Sequence, residues 1–290
     1  MASKSSAVAD EPIEVLFALQ PNFDLLDMAG PLEVLANALH DKKDKNSKAF
    51  EVTVAAAEPK VVSDSGVTIG TQIPFKEAYE RLSDFDVLVI VGGDSDKIIK
   101  ANAEPLPLIT AFSELQKKDP THERTLLSVC TGSLLLAKQG ILAGLSATTH
   151  SDYITTLEIL CSEAATRNLT ERTDVIEDAR YVVNNLRFDL GDEDENPYVR
   201  RTSDAGRRPS NASRKGSMSF KSSGRRESIT RRAAMRLGGL RVITAAGVSA
   251  GVDAALYLVS ALVSDESAEE AARYLHWTWN KGVVVDGLDV

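Results

Sequence analysis

Leu126-Leu127-Ser128-Val129-Cys130-Thr131-Gly132-Ser133-Leu134-Leu135-Leu136-Ala137-Lys138-Gln139-Gly140 is the stretch on which the reading of this chain turns. Four residues of strand character run directly into a cysteine. Small residues follow, and then a helical run over Leu134 to Lys138, closed by Gly140. A strand that turns sharply into a helix exposes the residue at the turn, which is the recipe of a nucleophile elbow, with Gly132 allowing close packing. Such a turn commonly holds its nucleophile in a strained backbone conformation. A thiol at a helix N-terminus also feels the positive end of the helix dipole, which favours the thiolate. The alternative is a buried structural cysteine at the end of a core strand, and the residues alone leave both open.

Working outward, apolar runs of strand length occur at Ile13 to Leu19, Phe50 to Ala57, Val87 to Val91 and Val242 to Thr244. Helical patterns lie between them, from about Leu32 and, most clearly, over Pro105 to Lys118. Continuous apolar strands alternating with helices predict a parallel sheet covered on both faces. The expected fold is therefore α/β, a three-layer sandwich around a mostly parallel, flavodoxin-like sheet with a nucleophile elbow. Chemistry in such sheets sits at the carboxyl ends of the strands. From about Arg187 to Leu240 the periodicity is lost and Ser, Arg, Gly and Asp dominate. Too few apolar groups remain there to offset the entropy of ordering, so 187–240 is read as a disordered insertion. The folded unit is then 12–186 plus 241–290 as one domain, with 1–11 a flexible tail.

The 290 residues carry a net charge of −9, which argues against nucleic acid as a partner. Only two cysteines occur, Cys130 and Cys161, so a reducing compartment, the cytoplasm, is expected. The opening residues MASKSSAVADEP lack the apolar core of a signal peptide. Ala245 to Val263 is apolar but contains Asp253, and reads as a buried helix, so no membrane span is expected. The histidines (His40, His122, His150, His276) and cysteines show no paired ligand spacing, so neither a metal nor a cofactor is expected. Cys161 is expected to be an inert packing thiol. Tyr274, His276, Trp277 and Trp279 are expected to complete the core or a dimer contact.

Three further places are candidates for chemistry. Gly92 and Gly93 end the strand Val87 to Val91, where glycine frees backbone N–H groups to approach a ligand, the basis of an oxyanion hole. A plain strand-to-helix turn is the alternative. His150, after Ala147-Thr148-Thr149, is placed to orient or protonate a reacting group, or is merely exposed. Asp27, within Phe23-Asp24-Leu25-Leu26-Asp27-Met28-Ala29-Gly30-Pro31, has apolar neighbours that would raise its pKa and suit it to carry a proton. A helix N-cap before Pro31 fits the same spacing.

Taken together, LLDMAGPLEVL (25–35), DVLVIVGG (86–93), SVCTGSLLLAKQGILAGLSATTH (128–150) and ITAAGVSAGVDAALYLV (243–259) resemble the ThiJ/PfpI superfamily, also described as class I glutamine amidotransferase-like. Within it the chain is most similar to the isonitrile hydratase subgroup. That resemblance implies Asp27, Cys130 and Thr131 as the reacting set and a small-molecule substrate. The implied reaction adds the Cys130 sulfur to an isonitrile carbon while Asp27 supplies a proton, after which water releases an N-substituted formamide. Gly92, Gly93, Gly132 and the Thr131 N–H would line the anion site, and His150 would stand by. A homodimer is also implied. Two departures stand out: Asp94-Ser95-Asp96 follow the double glycine where the family often has another glycine, and Ser151 replaces an aromatic residue. Asp94 and Asp96 either cap a helix or alter access.

Two other functions compete. Glyoxalase or deglycase chemistry is found in related members, which usually place glutamate where Asp27 stands. Redox sensing through oxidation of Cys130 needs no substrate. Related domains also form the sensor half of AraC-type regulators, but with the chain ending soon after Trp279 that module is not expected. In the insertion, Ser210, Ser217 and Ser228 each follow two basic residues and a spacer, a pattern suited to a basophilic kinase. An unselected Ser/Arg linker is the alternative.

Overall fold

Strand β1 (Ile13–Ala18) turns Val15 and Phe17 to one face and Leu16 and Ala18 to the other, and all four are fully buried. The same alternation holds in β6 (Val87–Ile90), where Val87 and Val89 oppose Leu88 and Ile90. A strand buried on both sides reads as an unbroken apolar run, and it requires a helical layer above and below. Each of these Val, Leu, Ile and Phe side chains contributes about 1.5–3 kcal/mol by leaving water.

The computed structural model describes residues 11–185, 199–200 and 236–286. Its centre is a nine-stranded sheet ordered β11-β13-β10-β12-β7-β6-β1-β2-β5. Here β2 is Phe50–Ala56, β5 Ile73–Pro74, β7 Thr125–Val129, β10 Tyr181–Asn185, β11 Val199–Arg200, β12 Arg241–Ala245 and β13 Val283–Asp286. Strands β5, β2, β1, β6, β7 and β12 are mutually parallel. β10 runs antiparallel to β12, and β13 and β11 follow the direction of β10. Two short pairs, β3 (Lys60–Val62) with β4 (Thr68–Gly70) and β8 (Ser146–Ala147) with β9 (Asp174–Val175), flank the sheet.

Helices α1 (Leu25–Asn37), α7 (Ala250–Leu262) and α8 (Asp265–Tyr274) supply one apolar layer. The other comes from α2 (Phe75–Glu80), α3 (Ser95–Ala101), α4 (Leu106–Lys118), α5 (Gly132–Lys138) and α6 (Ile154–Asn168). The α/β three-layer sandwich expected from the sequence is the fold observed. Cys161 is buried in α6. Among the described residues no helix is long and apolar enough to cross a membrane.

Two expectations about elements change. The first helix begins at Leu25, not near Leu32, and Pro31 lies inside it. A proline disfavours helix in the residue before it, which is why the sequence reading started the helix late. Close packing of α1 on α7 makes the interruption tolerable: a Cβ on Gly30 would lie 2.9 Å from Val252, and one on Gly251 3.3 Å from Pro31. Strands β10 and β13 are not among the runs the sequence singles out; both are short and run against the direction of β12, so neither completes the parallel strand–helix–strand unit that the sequence pattern announces. Most of 187–240, with Ser210, Ser217 and Ser228, lies outside the described residues. Within that range Val199–Arg200 pairs with β13, and Leu237 and Leu240 are buried in the core.

Candidate active site

β6 and β7 are neighbours in the sheet and end at the same edge, one in Val91-Gly92-Gly93 and the other in Cys130-Thr131. Cys130 has φ 56°, in the left-handed region that side chains other than glycine rarely occupy. The surroundings hold it there. Its N–H donates to the Ala245 carbonyl at 3.0 Å, and its own carbonyl accepts from Ser133 Oγ at 3.0 Å and Thr149 Oγ1 at 3.1 Å. This is the nucleophile-elbow geometry, with the thiol buried at the start of α5.

Asp27 meets the cysteine from the opposite side. It sits in the first turn of α1, fully buried, and is not the residue that precedes the helix. Its Oδ2 accepts the Gly92 N–H at 2.9 Å, while Oδ1 is buried without a hydrogen-bond partner among the described residues. Asp24, one turn earlier at the N-cap, completes the group. The Cys130 Sγ–H donates to Asp24 Oδ2 across 3.9 Å, and oxygen atoms of both aspartates lie within 4.8 Å of the sulfur and of each other.

Thr131 is tied to the neighbouring strand end. Its Oγ1 accepts the Gly93 N–H at 3.0 Å and lies 3.0 Å from Ser95 Oγ, which also donates to the Thr131 carbonyl. The two glycine N–H groups expected to form an oxyanion hole are thus engaged, Gly92 by Asp27 and Gly93 by Thr131. What glycine supplies here is room. A Cβ on Gly92 would lie 2.6 Å from Asp27 Oδ2 and 3.0 Å from the Cys130 Cβ, and one on Gly132 2.6 Å from the Ile90 carbonyl. Gly93 has φ 125° besides, with the Asn22 carbonyl 2.3 Å from where its Cβ would stand. His150 is not joined to the thiol. Its Nδ1 accepts the Asp152 N–H at 3.2 Å, and the ring reaches the site only through its electrostatic influence on Asp24. Asp94 pairs with Lys97 outside the cluster.

Burial away from water, and then the charge of Asp24, push the Asp27 carboxyl up to about 8. Burial, followed by the charge of Asp27, also drives the Cys130 thiol upward, against a lowering contribution from the Thr131 N–H. This corrects the expectation of a helix-stabilised thiolate. A helix N-terminus offers about half a positive charge, and here two carboxylates and a dry site oppose it. Asp24 is raised as well, by burial and then by Asp64. A tetrahedral cation would need the sulfur and oxygens about 3.5 Å apart, so the three donors would have to close in to share one.

The sequence reading missed Asp24, Ser95 and Thr149. Asp24 and Asp27 are three apart, the spacing that puts two side chains on one helical face, which was a usable signal. Nothing in the sequence marked Thr149, which acts through a contact across the fold.

Comparison with known proteins agrees with this architecture. A model of the DJ-1/PfpI family matches residues 13–185. An "Uncharacterized protein in cpoL 5'region" from Streptomyces lividans is 29% identical over 150 residues, covering 52% of this chain and 96% of that protein. An isonitrile hydratase from Pseudomonas putida is 29% identical over 141 residues, 49% of this chain and 54% of the enzyme, so the match spans about half the enzyme's length. A ThiJ/PfpI family structure from Pseudomonas syringae superposes with TM-score 0.55 at 18% identity, over 97% of this chain and 83% of that one. Drosophila melanogaster DJ-1beta gives 0.54 at 15% identity, over 93% and 100%. These structural likenesses speak for the fold. With the family model covering more than half of its length, the chain belongs to the DJ-1/PfpI family.

Proposed function

We propose that the protein is a cysteine-dependent hydratase that converts an isonitrile to an N-substituted formamide. One observation carries this reading: a buried carboxyl that keeps its proton to about pH 8 stands beside a buried thiol, with a carboxyl oxygen within 4.8 Å of the sulfur. The isonitrile carbon is unusual in needing a proton and a nucleophile at the same atom. Asp27 gives that carbon its proton while the Cys130 sulfur, handing its own proton to a neighbouring base, bonds to it and forms a thioimidate. Asp27, now ionised, draws a proton from water as the water adds to the same carbon. The proton shed by the thiol passes to nitrogen, the C–S bond breaks as the hydroxyl proton returns to sulfur, and the formamide leaves. Thr131 positions the reacting groups by fixing the two strand ends to each other. The 29% identity with the Pseudomonas putida isonitrile hydratase supports the choice of substrate class.

The test is to incubate the protein with an alkyl isonitrile, and separately with methylglyoxal, following formamide and lactate by NMR. Formamide is expected from the wild type, with loss of at least about 10²-fold in Cys130→Ala and Asp27→Ala. Lactate without formamide would move the assignment to glyoxalase chemistry. Neither product, with Cys130 readily oxidised by peroxide, would favour redox sensing.

A further inference from the structure

A carboxyl that enters the reaction holding its proton cannot also take the proton of the thiol that attacks. We propose that Asp24 is the acceptor of the Cys130 proton, and that Asp64, held against the same turn, tunes the strength of Asp24 as a base. The division of acid and base between Asp27 and Asp24 rests on the hydratase reading, whereas the coupling of Asp24 to the thiol does not.

Geometry makes the case. Asp24 occupies the N-cap of α1, where an aspartate ordinarily accepts a backbone N–H of the first turn. Its side chain makes no such bond and instead accepts the Cys130 Sγ–H. The helix forgoes its side-chain cap for that orientation. The backbone is pinned where it must be: Asp24 N–H donates to the Gly92 carbonyl at 3.2 Å, and Phe23 bridges to Gly93. Asp64 is pinned to the same turn by its N–H donating to the Phe23 carbonyl at 3.0 Å, and its carboxylate faces Asp24. Asp24 is half-buried, so unlike Asp27 it can exchange protons with water between turnovers.

The groups facing Asp24 are Asp27 on its own helix, Asp64 from the β3–β4 turn, Cys130 from the end of β7 and His150 after β8. Burial and then Asp64 raise its proton affinity, while the Cys130 hydrogen bond and His150 lower it. The sequence of steps then balances. The S–H proton passes to Asp24 as the S–C bond forms, and the Asp27 proton goes to the isonitrile carbon. Water adds, giving its proton to Asp27, while Asp24 returns its proton to nitrogen. As the C–S bond breaks, the hydroxyl proton of the intermediate goes back to sulfur. Isonitrile plus water has become formamide, and both aspartates and the thiol are restored.

The experiment compares wild type with Asp24→Asn, Asp24→Glu and Asp64→Asn, by isonitrile hydration and by the pH profile of Cys130 alkylation with iodoacetamide. In Asp24→Asn the two readouts should move in opposite directions. Hydration falls by about 10²–10⁴-fold, while alkylation at pH 7 becomes several-fold faster, because a negative charge beside the sulfur is gone. Asp24→Glu should recover part of the turnover. Asp64→Asn should shift the acid limb of the turnover pH profile to lower pH, because a negative charge that raises the proton affinity of Asp24 is gone. Hydration within about twofold of wild type in Asp24→Asn would overturn the proposal. So would an unmoved alkylation profile, or parallel loss of both readouts without rescue by glutamate. If wild type does not hydrate isonitriles, the hydratase reading fails and the alkylation profile alone decides on Asp24.

Discussion

At the scale of single residues, the site holds a conflict between stability and chemistry. Asp27 is folded into a dry pocket with a proton it would have lost in water. Between about pH 4 and pH 8 the folded chain binds that proton and the unfolded chain does not, so stability must fall as pH rises through this window. Asparagine has the same shape and nothing to ionise. Asp27→Asn is therefore expected to match wild type in urea midpoint near pH 4 and to exceed it increasingly toward pH 8, by on the order of a few kcal/mol. Equal midpoints at both pH values would show that the carboxyl is not held neutral. The same substitution should abolish hydration, so the variant gains stability where it loses function. The sequence showed Asp27 and Cys130 individually, through their apolar neighbours and their strand-to-helix turn. It could not show their proximity, since 103 positions separate them and only the pairing of β1 with β6 and of β6 with β7 closes the gap.

At the scale of elements, the carboxyl-terminal part of the chain is held by one buried anion. Asp253 on α7 is fully buried, accepting from Arg180 Nε at 2.8 Å, Trp277 Nε1 at 2.8 Å and the Asn280 N–H at 2.9 Å. It thereby ties the entry to β10 and the segment before β13 to the same helix. Asp253→Ala leaves three donors without their acceptor and is expected to cost roughly 3 kcal/mol, read as a lowered thermal midpoint. Cys130 follows β7 and is not bonded to this network, so alkylation of its thiol should change little at temperatures where the variant is folded. The aromatic cluster around Trp277 was read from sequence as core or dimer material. Trp277 in fact packs against the core while its indole N–H binds Asp253, a partner whose role depends on where α7 comes to lie.

At the scale of the whole molecule, β10 and β12 are antiparallel neighbours, with Asn184 opposite Val242. The segment between them starts and ends at adjacent points of the sheet, so the fold does not need its length. Replacing residues 187–235 with a ten-residue Gly/Ser linker removes only the two-residue edge strand β11 from the described sheet, and should leave a folded protein that retains hydration, with a thermal midpoint within a few degrees of wild type. Loss of cooperative unfolding in that variant would show that the segment is part of the fold.

The sequence by itself determined the layers and the elbow, because strand burial and helix periodicity are local patterns that each element carries alone. It also marked the thiol and one carboxyl, whose neighbours in sequence already describe their setting. The tertiary structure decided the ionisation of those groups, the engagement of the glycine N–H groups and the entry of Asp24 into the site. Those depend on distances between elements far apart in the chain, and a charge responds to everything within a few ångströms of it regardless of sequence separation.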